Sequence, residues 1–297
     1  MSERKKLLGP MRPPFLVLPP VCVFLGMGTA IWRQGRVEIL HVILVFFGSV
    51  AAHVSVNALN EYSDFRSSLD SRTQRTPFSG GSGTLQANPE LARAALATGL
   101  VAMAIAALVG IYFLVEWGLA LLPLGLLGLV VVFAYTDWIT RYPLFCLIAP
   151  GLGFGVFMVM GSDFCLAGDY SWTGFFASLV PFFLVSNLLL LNQFPDVEAD
   201  ESVGRRHYPI TLGRKASSLI YIAFLLGTFL SIIAGVVLGY LPAWSLLGLL
   251  ALVLAVPTGL GAYRYAEDLE KLIPYLGFNV LLNIITPLLV GVGLLIA

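Results

Sequence analysis

The sequence predicts an all-helical bundle of about nine membrane-spanning helices, and three observations carry that prediction. The 297 residues are 58% hydrophobic and only 11% charged, against roughly a quarter charged in an average soluble domain. The apolar residues fall in long runs, most of them near the roughly 20 residues needed to cross a bilayer. The charges gather in the short segments between those runs. The required partner is therefore the lipid bilayer. A net charge of zero offers nothing to a phosphate backbone, which argues against nucleic acid.

Taken in order, the apolar runs lie at 14–32, 37–59, 91–114, 117–136, 143–161, 173–194, 216–239, 244–263 and 273–296. Those at 117–136 and 143–161 are the weakest, being short or Gly-rich. The basic start leads into Pro-rich sequence and a long apolar run, so 14–32 reads as a first span and not as a cleaved signal. Cys22, Cys146 and Cys165 are widely spaced, without metal-ligand pairing, and read as apolar filler. Residues 1–297 read as a single transmembrane domain.

Orientation follows from the basic residues. If the runs are all spans, one set of segments holds Arg4, Lys5, Lys6, Arg12, Arg66, Arg72, Arg75, Arg93, Arg141, Arg205, Arg206, Arg214, Lys215, Arg264 and Lys271, and the other holds only Arg33 and Arg36. Fifteen against two places the N-terminus on the cytoplasmic side of the cell membrane and the C-terminus outside. The outward connections are short. Two inward ones, about 60–90 and 195–215, are long and rich in polar groups. Function concentrates in such loops.

The first loop begins Asn60-Glu61-Tyr62-Ser63-Asp64 and continues through Asp70 to Arg72 and Arg75. The second begins at Asn192, with Pro195-Asp196 and Asp200 leading to Arg205 and Arg206. Each has an Asn at the end of an apolar run, an Asp four residues on, a second Asp, then Arg. On a helix, Asn192, Asp196 and Asp200 form one stripe, as do Asn60 and Asp64. Asp70 lies off that face, so the chain must turn near Ser67-Ser68 if both aspartates serve one site. Pro195 predicts a kink or a freed carbonyl just before Asp196. A lone acidic pair at a helix end is ordinary loop chemistry; two matching copies on one side of the membrane point to a shared site.

Carboxylates and amide oxygens are hard ligands suited to Mg²⁺, which takes one or two carboxylates plus substrate phosphate oxygens. Four aspartates repel a diphosphate unless cations bridge them. A diphosphate, two Mg²⁺ and four carboxylates leave about −3 by formal charge, which Arg72, Arg75, Arg205, Arg206, Arg214 and Lys215 are placed to offset. Such a site stabilises a departing diphosphate.

At these residues the sequence resembles the UbiA superfamily of membrane prenyltransferases. The family's first motif falls on Asn60, Glu61, Asp64 and Asp70, with Glu61 replacing the usual Asp, and its second on Asp196 and Asp200. The resemblance implies a helical bundle around a central cavity, capped by cytoplasmic loops in which both motifs hold Mg²⁺-diphosphate. Asn60, Asp64, Asp70, Asn192, Asp196 and Asp200 are then the expected metal ligands, with the four aspartates catalytic. Arg72, Arg75, Tyr135, Arg141, Arg205, Arg206 and Lys215 are the expected substrate contacts, though Tyr135 also reads as an ordinary interfacial tyrosine. The implied substrates are a prenyl diphosphate and an aromatic acceptor, with ionisation to an allylic cation, attack by the ring and loss of a proton.

Five residues separate Asp64 from Asp70, and Tyr62 precedes Asp64, as in the branch acting on 1,4-dihydroxy-2-naphthoate in menaquinone synthesis. Arg12-Pro13-Pro14, Leu18-Pro19-Pro20-Val21 and Thr211-Leu212-Gly213-Arg214 resemble that branch too. The alternative acceptors are 4-hydroxybenzoate and those of the haem, chlorophyll and ether-lipid branches. Ser68 stands where the menaquinone branch usually has Gly, and Phe154 where the family is often acidic.

The remaining polar features are weaker. The Gly/Ser-rich stretch after Arg75 reads as a flexible connector, a phosphate-binding backbone or a lid hinge. His53 and Asn57 share a face one turn before Asn60, and interhelical hydrogen bonding is the first expectation for them, as for Asn187, Asn279 and Asn283. His207 reads as a solvated loop residue, and His41 carries no signal. A transporter is the rival class, but it would put polar groups at mid-membrane, whereas here the acids cluster at span ends.

Overall fold

A computed structural model describes residues 8–69, 72, 76, 78 and 80–297. The described residues are helical, without strands. Nine apolar segments appear: α1 (Pro13–Gln34), α2 (Ile39–Arg66), α3 (Pro89–Trp117), α4 (Leu119–Ala134), α5 (Pro143–Ala167), α6 (Trp172–Asn192), α7 (Arg214–Val237), α8 (Ala243–Arg264) and α9 (Leu269–Leu295). Eight are long and apolar enough to cross a membrane; α4 is shorter. Among the described residues the chain is therefore a multi-pass helical membrane protein.

Local chemistry explains where the helices stop. Gly35, in the left-handed region at φ 76°, closes α1, because only a residue without Cβ takes that conformation freely. At the start of α6, Ser171 accepts from the Gly174 amide at 2.8 Å and caps the helix. Asp268 caps α9 by accepting from the Lys271 amide at 3.2 Å. Outward faces stay apolar: Val115, Phe133, Val237 and Val253 are all exposed, as expected of helices bathed in lipid and not in water.

Packing divides the bundle into two groups. Helices α2 and α3 pair closely, as do α6 and α7, while α9 packs on both α1 and α8. Gly151 and Gly155 of α5 lie against the α6 backbone, where a Cβ would overlap the Phe182 and Ser178 carbonyls. In the larger core, Asn187 donates to the Tyr221 carbonyl at 2.8 Å, the Tyr221 hydroxyl to Asn279 Oδ1 at 3.0 Å, and the Asn279 amide to the Asn187 carbonyl at 3.3 Å. Asn283 donates to the Asn279 carbonyl at 2.8 Å. These asparagines knit α6, α7 and α9 together.

The connections alternate between two ends. At one end, Arg33 pairs with buried Asp163 at 3.1 Å and exposed Asp169 at 2.6 Å, and Trp117 donates to the Cys165 carbonyl at 2.9 Å. The opposite end gathers the last turn of α2, the α4–α5 connection and the long α6–α7 segment. The Arg206 amide there bonds the Thr140 carbonyl at 2.9 Å, and Lys215 donates to the Tyr263 carbonyl at 2.6 Å. This second end carries both acidic motifs.

Candidate active site

The first motif occupies the last two turns of α2. Asn60 donates its amide to Thr136 Oγ1 at 3.2 Å, which turns its amide oxygen the other way. One turn on, Asp64 is 5% exposed. The helix ends at Arg66, and Ser68 follows at φ 58° in the left-handed region. The turn expected at Ser67-Ser68 is present. Asp70 and Arg75 lie outside the described residues.

The second motif is not one continuous stripe. Helix α6 ends at Asn192, a turn covers residues 193–196, and a new helix runs Val197–Ser202 with Asp196 at its N-cap. Pro195 sits in that turn, lacking the amide that would continue α6. Arg214 closes the break: it donates to the freed Phe194 carbonyl at 2.8 Å and to Glu198 at 2.8 and 3.0 Å.

Arg205 brings the two motifs together. One guanidinium nitrogen bonds the Asp64 carboxylate and another bonds Asp200 Oδ1 at 2.9 Å. His207 Nε2 lies 3.0 Å from Asp200 Oδ2. Burial alone would raise the Asp200 carboxyl, but the His207 and Arg205 contacts outweigh it and hold it below the usual range. Arg205 is buried too, which opposes its charge, yet Asp64 and Asp200 raise its basicity further. The result is a bridged pair of carboxylates with a cation between them.

His207 corrects the expectation of a solvated loop residue. It is 1% exposed, because Gly204, at φ 82°, reverses the chain and folds the segment back on the Val197–Ser202 helix. Its spacing of seven residues from Asp200 is a faint signal that a turn between them would unite the two. Glu61 is the second surprise. Its carboxylate is fully buried and accepts from Arg12 Nε at 2.7 Å, the Ser82 amide at 2.7 Å and the Ser82 hydroxyl at 2.8 Å. It clamps the N-terminal segment and the Gly/Ser-rich loop onto α2. The Ser82 amide, one of those available to a phosphate, is spent on this clamp.

The other expected contacts are spread more widely. Arg72 reaches Ser202 Oγ at 3.1 Å and so ties the first loop to the second motif's helix. Arg206 and Arg141 are exposed on neighbouring connections, joined by the Arg206–Thr140 backbone bond. Lys215 is turned to α8, with Nζ 3.4 Å from the Tyr263 ring centre. Tyr135 lines the cavity below the motifs. Burial, reinforced by the nearby Cys146, Asp200 and Asp64, pushes its phenol well above the usual range, so it remains a hydrogen-bond donor.

That cavity has a volume of about 540 Å³. Asn57, Asn60, Arg12 and Tyr135 stand at its motif end, and below them the wall is Val45, Val56, Phe154, Phe157, Met158 and glycines of α2 to α5. A polar mouth over a long apolar pocket suits an amphipathic substrate with an anionic head.

The oxygen donors fit Mg²⁺. Asn192 Oδ1 is buried without a hydrogen-bond partner, an arrangement that is costly unless a cation or donor completes it. Together with Asn60, Asp64, Asp196 and Asp200 it makes an all-oxygen set of the kind Mg²⁺ takes. Among the described residues no three His, Cys, Asp or Glu side chains already converge as metal ligands; Arg205 holds the carboxylates instead.

Comparison with known proteins agrees. The model of the UbiA prenyltransferase family matches residues 18–282. A 1,4-dihydroxy-2-naphthoate octaprenyltransferase of Bacillus subtilis is 26% identical over 257 residues, 85% of this chain and 79% of the relative. A digeranylgeranylglyceryl phosphate synthase of Thermococcus kodakarensis is 27% identical over 75% of this chain and 78% of the relative. Among solved structures, a UbiA homologue from Aeropyrum pernix superposes with a TM-score of 0.73 at 20% identity, covering 96% of this chain and 98% of that one. One from Archaeoglobus fulgidus bound to DMAPP and Mg²⁺ gives 0.65 at 13% identity, covering 97% and 99%.

Proposed function

The chain belongs to the UbiA prenyltransferase family, and we propose that within it the protein carries a prenyl chain from its diphosphate to 1,4-dihydroxy-2-naphthoate, with Mg²⁺. One observation supports this most: two acidic motifs on separate segments meet at Arg205, at the mouth of an apolar cavity. The acceptor rests on the five-residue gap between Asp64 and Asp70 and on the name of the Bacillus relative. We assign the motif end to the cytoplasm, because fifteen of the seventeen Lys and Arg residues belong to that side.

Each part of the site has a task in this reading. Asp64, Asp196, Asp200, Asn60 and Asn192 hold the cation, joined by Asp70. Mg²⁺ supplies charge that neutralises the departing diphosphate. Arg72, Arg205 and Arg206 share the diphosphate's remaining negative charge, and Tyr135 donates a hydrogen bond to it. The apolar wall accommodates the prenyl chain and keeps water from the allylic cation. Phe154 and Phe157 offer aromatic faces there. The C1–oxygen bond to the diphosphate breaks, the acceptor's electron-rich carbon bonds to the prenyl C1, and the ring regains aromaticity by losing the proton, or the carboxylate as CO2, from the attacked carbon.

The test incubates purified protein and Mg²⁺ with labelled prenyl diphosphate, and with 1,4-dihydroxy-2-naphthoate, 4-hydroxybenzoate or a glyceryl phosphate at matched concentration. Prenylated naphthoate-derived product is expected. A clear preference for 4-hydroxybenzoate rejects the acceptor. Transfer to the glyceryl phosphate favours the ether-lipid reading that the Thermococcus relative represents.

A further inference from the structure

His53 lines the cavity wall and is a polar group that the reaction outlined above leaves unused. It lies seven residues before Asn60 on α2, two helical turns and about 10 Å deeper along the same face. Its side chain is 6% exposed, and neither ring nitrogen has a hydrogen-bond partner. The Phe15 carbonyl faces the ring from the N-terminal segment without reaching hydrogen-bond geometry. Asn57, one turn nearer the mouth, is already committed to the Met11 carbonyl at 3.0 Å. The interhelical bond expected of His53 is therefore not made.

A buried imidazole with two unpaired nitrogens costs free energy that a polar ligand would recover. The prenyl chain offers no hydrogen bond, so it does not meet this need. An aromatic acceptor does. The Phe154 ring contacts the imidazole edge-on, with centroids 5.0 Å apart at 73°, and gives an adjacent apolar surface for a second ring. The depth also fits, since reacting carbons about 3–3.5 Å apart plus the width of a bicyclic ring occupy the interval between the motifs and His53. Both nitrogens are shielded in this conformation. Rotation about the Cβ–Cγ bond, which has a broad profile, turns either edge into the cavity.

We propose that His53 binds a hydroxyl of the aromatic acceptor and so sets which ring carbon faces the prenyl C1. A neutral imidazole accepting from that hydroxyl also pushes electron density into the ring, favouring attack. The proposal rests on the aromatic-acceptor reading and adds a residue to it.

The experiment compares wild type with His53→Phe, which keeps ring volume against Phe154, and His53→Gln, which keeps a hydrogen-bonding end. KM for 1,4-dihydroxy-2-naphthoate and KM for prenyl diphosphate are measured separately. His53→Phe is expected to raise the acceptor KM about tenfold or more and change the donor KM less than about twofold, with His53→Gln recovering much of the loss. A second arm uses unsubstituted protein, so it stands even if His53→Phe folds poorly. Methyl ethers at each hydroxyl are measured as competitive inhibitors, and blocking one of them should weaken binding by a similar factor. His53→Gln should keep much of that penalty, and His53→Phe should lose it. An unchanged acceptor KM in a folded His53→Phe, or no methylation penalty at either hydroxyl in wild type, overturns the role of His53 while leaving the acceptor assignment standing. Wild type that prenylates a glyceryl phosphate and no aromatic acid overturns both.

Discussion

Replacing Arg205 by Gln should affect the two ligands of the site in opposite directions. In the structure the guanidinium bridges Asp64 and Asp200, occupying the position a divalent cation needs. A unit charge about 4 Å from a divalent cation is worth about 8 kcal/mol at an effective dielectric near 20, before solvent screening and movement of the side chain are counted. Arg205 is 16% exposed, so screening and side-chain movement reduce that repulsion to a fraction on the order of 1.4 kcal/mol. Mn²⁺ should then bind Arg205→Gln about tenfold more tightly than wild type when no diphosphate is present. Once cations are in place the guanidinium serves the diphosphate, and affinity for a non-reactive prenyl diphosphate analogue should fall by about tenfold or more. Titration of Mn²⁺ by electron paramagnetic resonance, with and without the analogue, reads both effects. Equal Mn²⁺ affinity in the two proteins would refute the idea that Arg205 and the metal compete for the same carboxylates.

Three further outcomes follow from the same geometry. Asp64→Ala and Asp196→Ala should each abolish prenyl transfer and weaken Mn²⁺ binding while inserting normally, since neither residue lies in an apolar core; near-normal turnover in either would mean the metal is held elsewhere. Glu61→Gln should leave Mn²⁺ affinity within about twofold but cost roughly 3–5 kcal/mol in thermal stability, because it strips a fully buried carboxylate from Arg12 and Ser82; loss of metal binding with stability intact would add Glu61 to the ligand set. Chelation with excess EDTA should stop transfer, and full turnover in its presence would remove the metal from the reaction.

How much of this could be read from the sequence depended on whether the signal was local. Helix positions were legible because a bilayer demands long apolar runs, and the nine expected segments coincide with α1 to α9 to within a few residues, apart from the end of α2, which runs on to Arg66, and of α5, which runs on to Ala167. The breaks were legible for the same reason: Pro195 lacks an amide, and the off-face position of Asp70 required a turn at Ser67-Ser68. What could not be read were tertiary partners. His207 looked solvated beside two arginines, and only the reversal at Gly204 buries it on Asp200. Glu61 looked like a conservative metal-motif substitution, but Arg12 reaches it from 49 positions away. Arg205 looked like a diphosphate contact, and its joint hold on Asp64 and Asp200 spans two loops whose proximity no spacing rule encodes.

Ser68 joins these two levels and gives the most direct test of the backbone argument. The branch this sequence resembles usually carries Gly here, and the structure supplies the physical reason. Ser68 is the first residue beyond the cap of α2, at φ 58°, with its amide bonded to the Phe65 carbonyl at 3.1 Å, as helix-terminating left-handed residues are. A residue with a Cβ pays about 1–2 kcal/mol for that conformation, while Gly pays only for its freer unfolded chain, about 0.4–1 kcal/mol. Ser68→Gly should therefore stabilise the protein by about 0.5–1 kcal/mol, a rise of about 1–3 °C in melting temperature for a chain of this size. Ser68→Val should do the reverse and more strongly, since a β-branched residue tolerates the left-handed region worst. Both substitutions lie at the turn that swings the chain from Asp64 toward Asp70, so the matching functional readout is Mn²⁺ affinity. It should hold in Ser68→Gly and fall in Ser68→Val if the turn aims the first motif at its cation. A melting temperature that drops in Ser68→Gly would show that the serine side chain contributes more at this turn than its backbone strain costs, and the strain argument would fail.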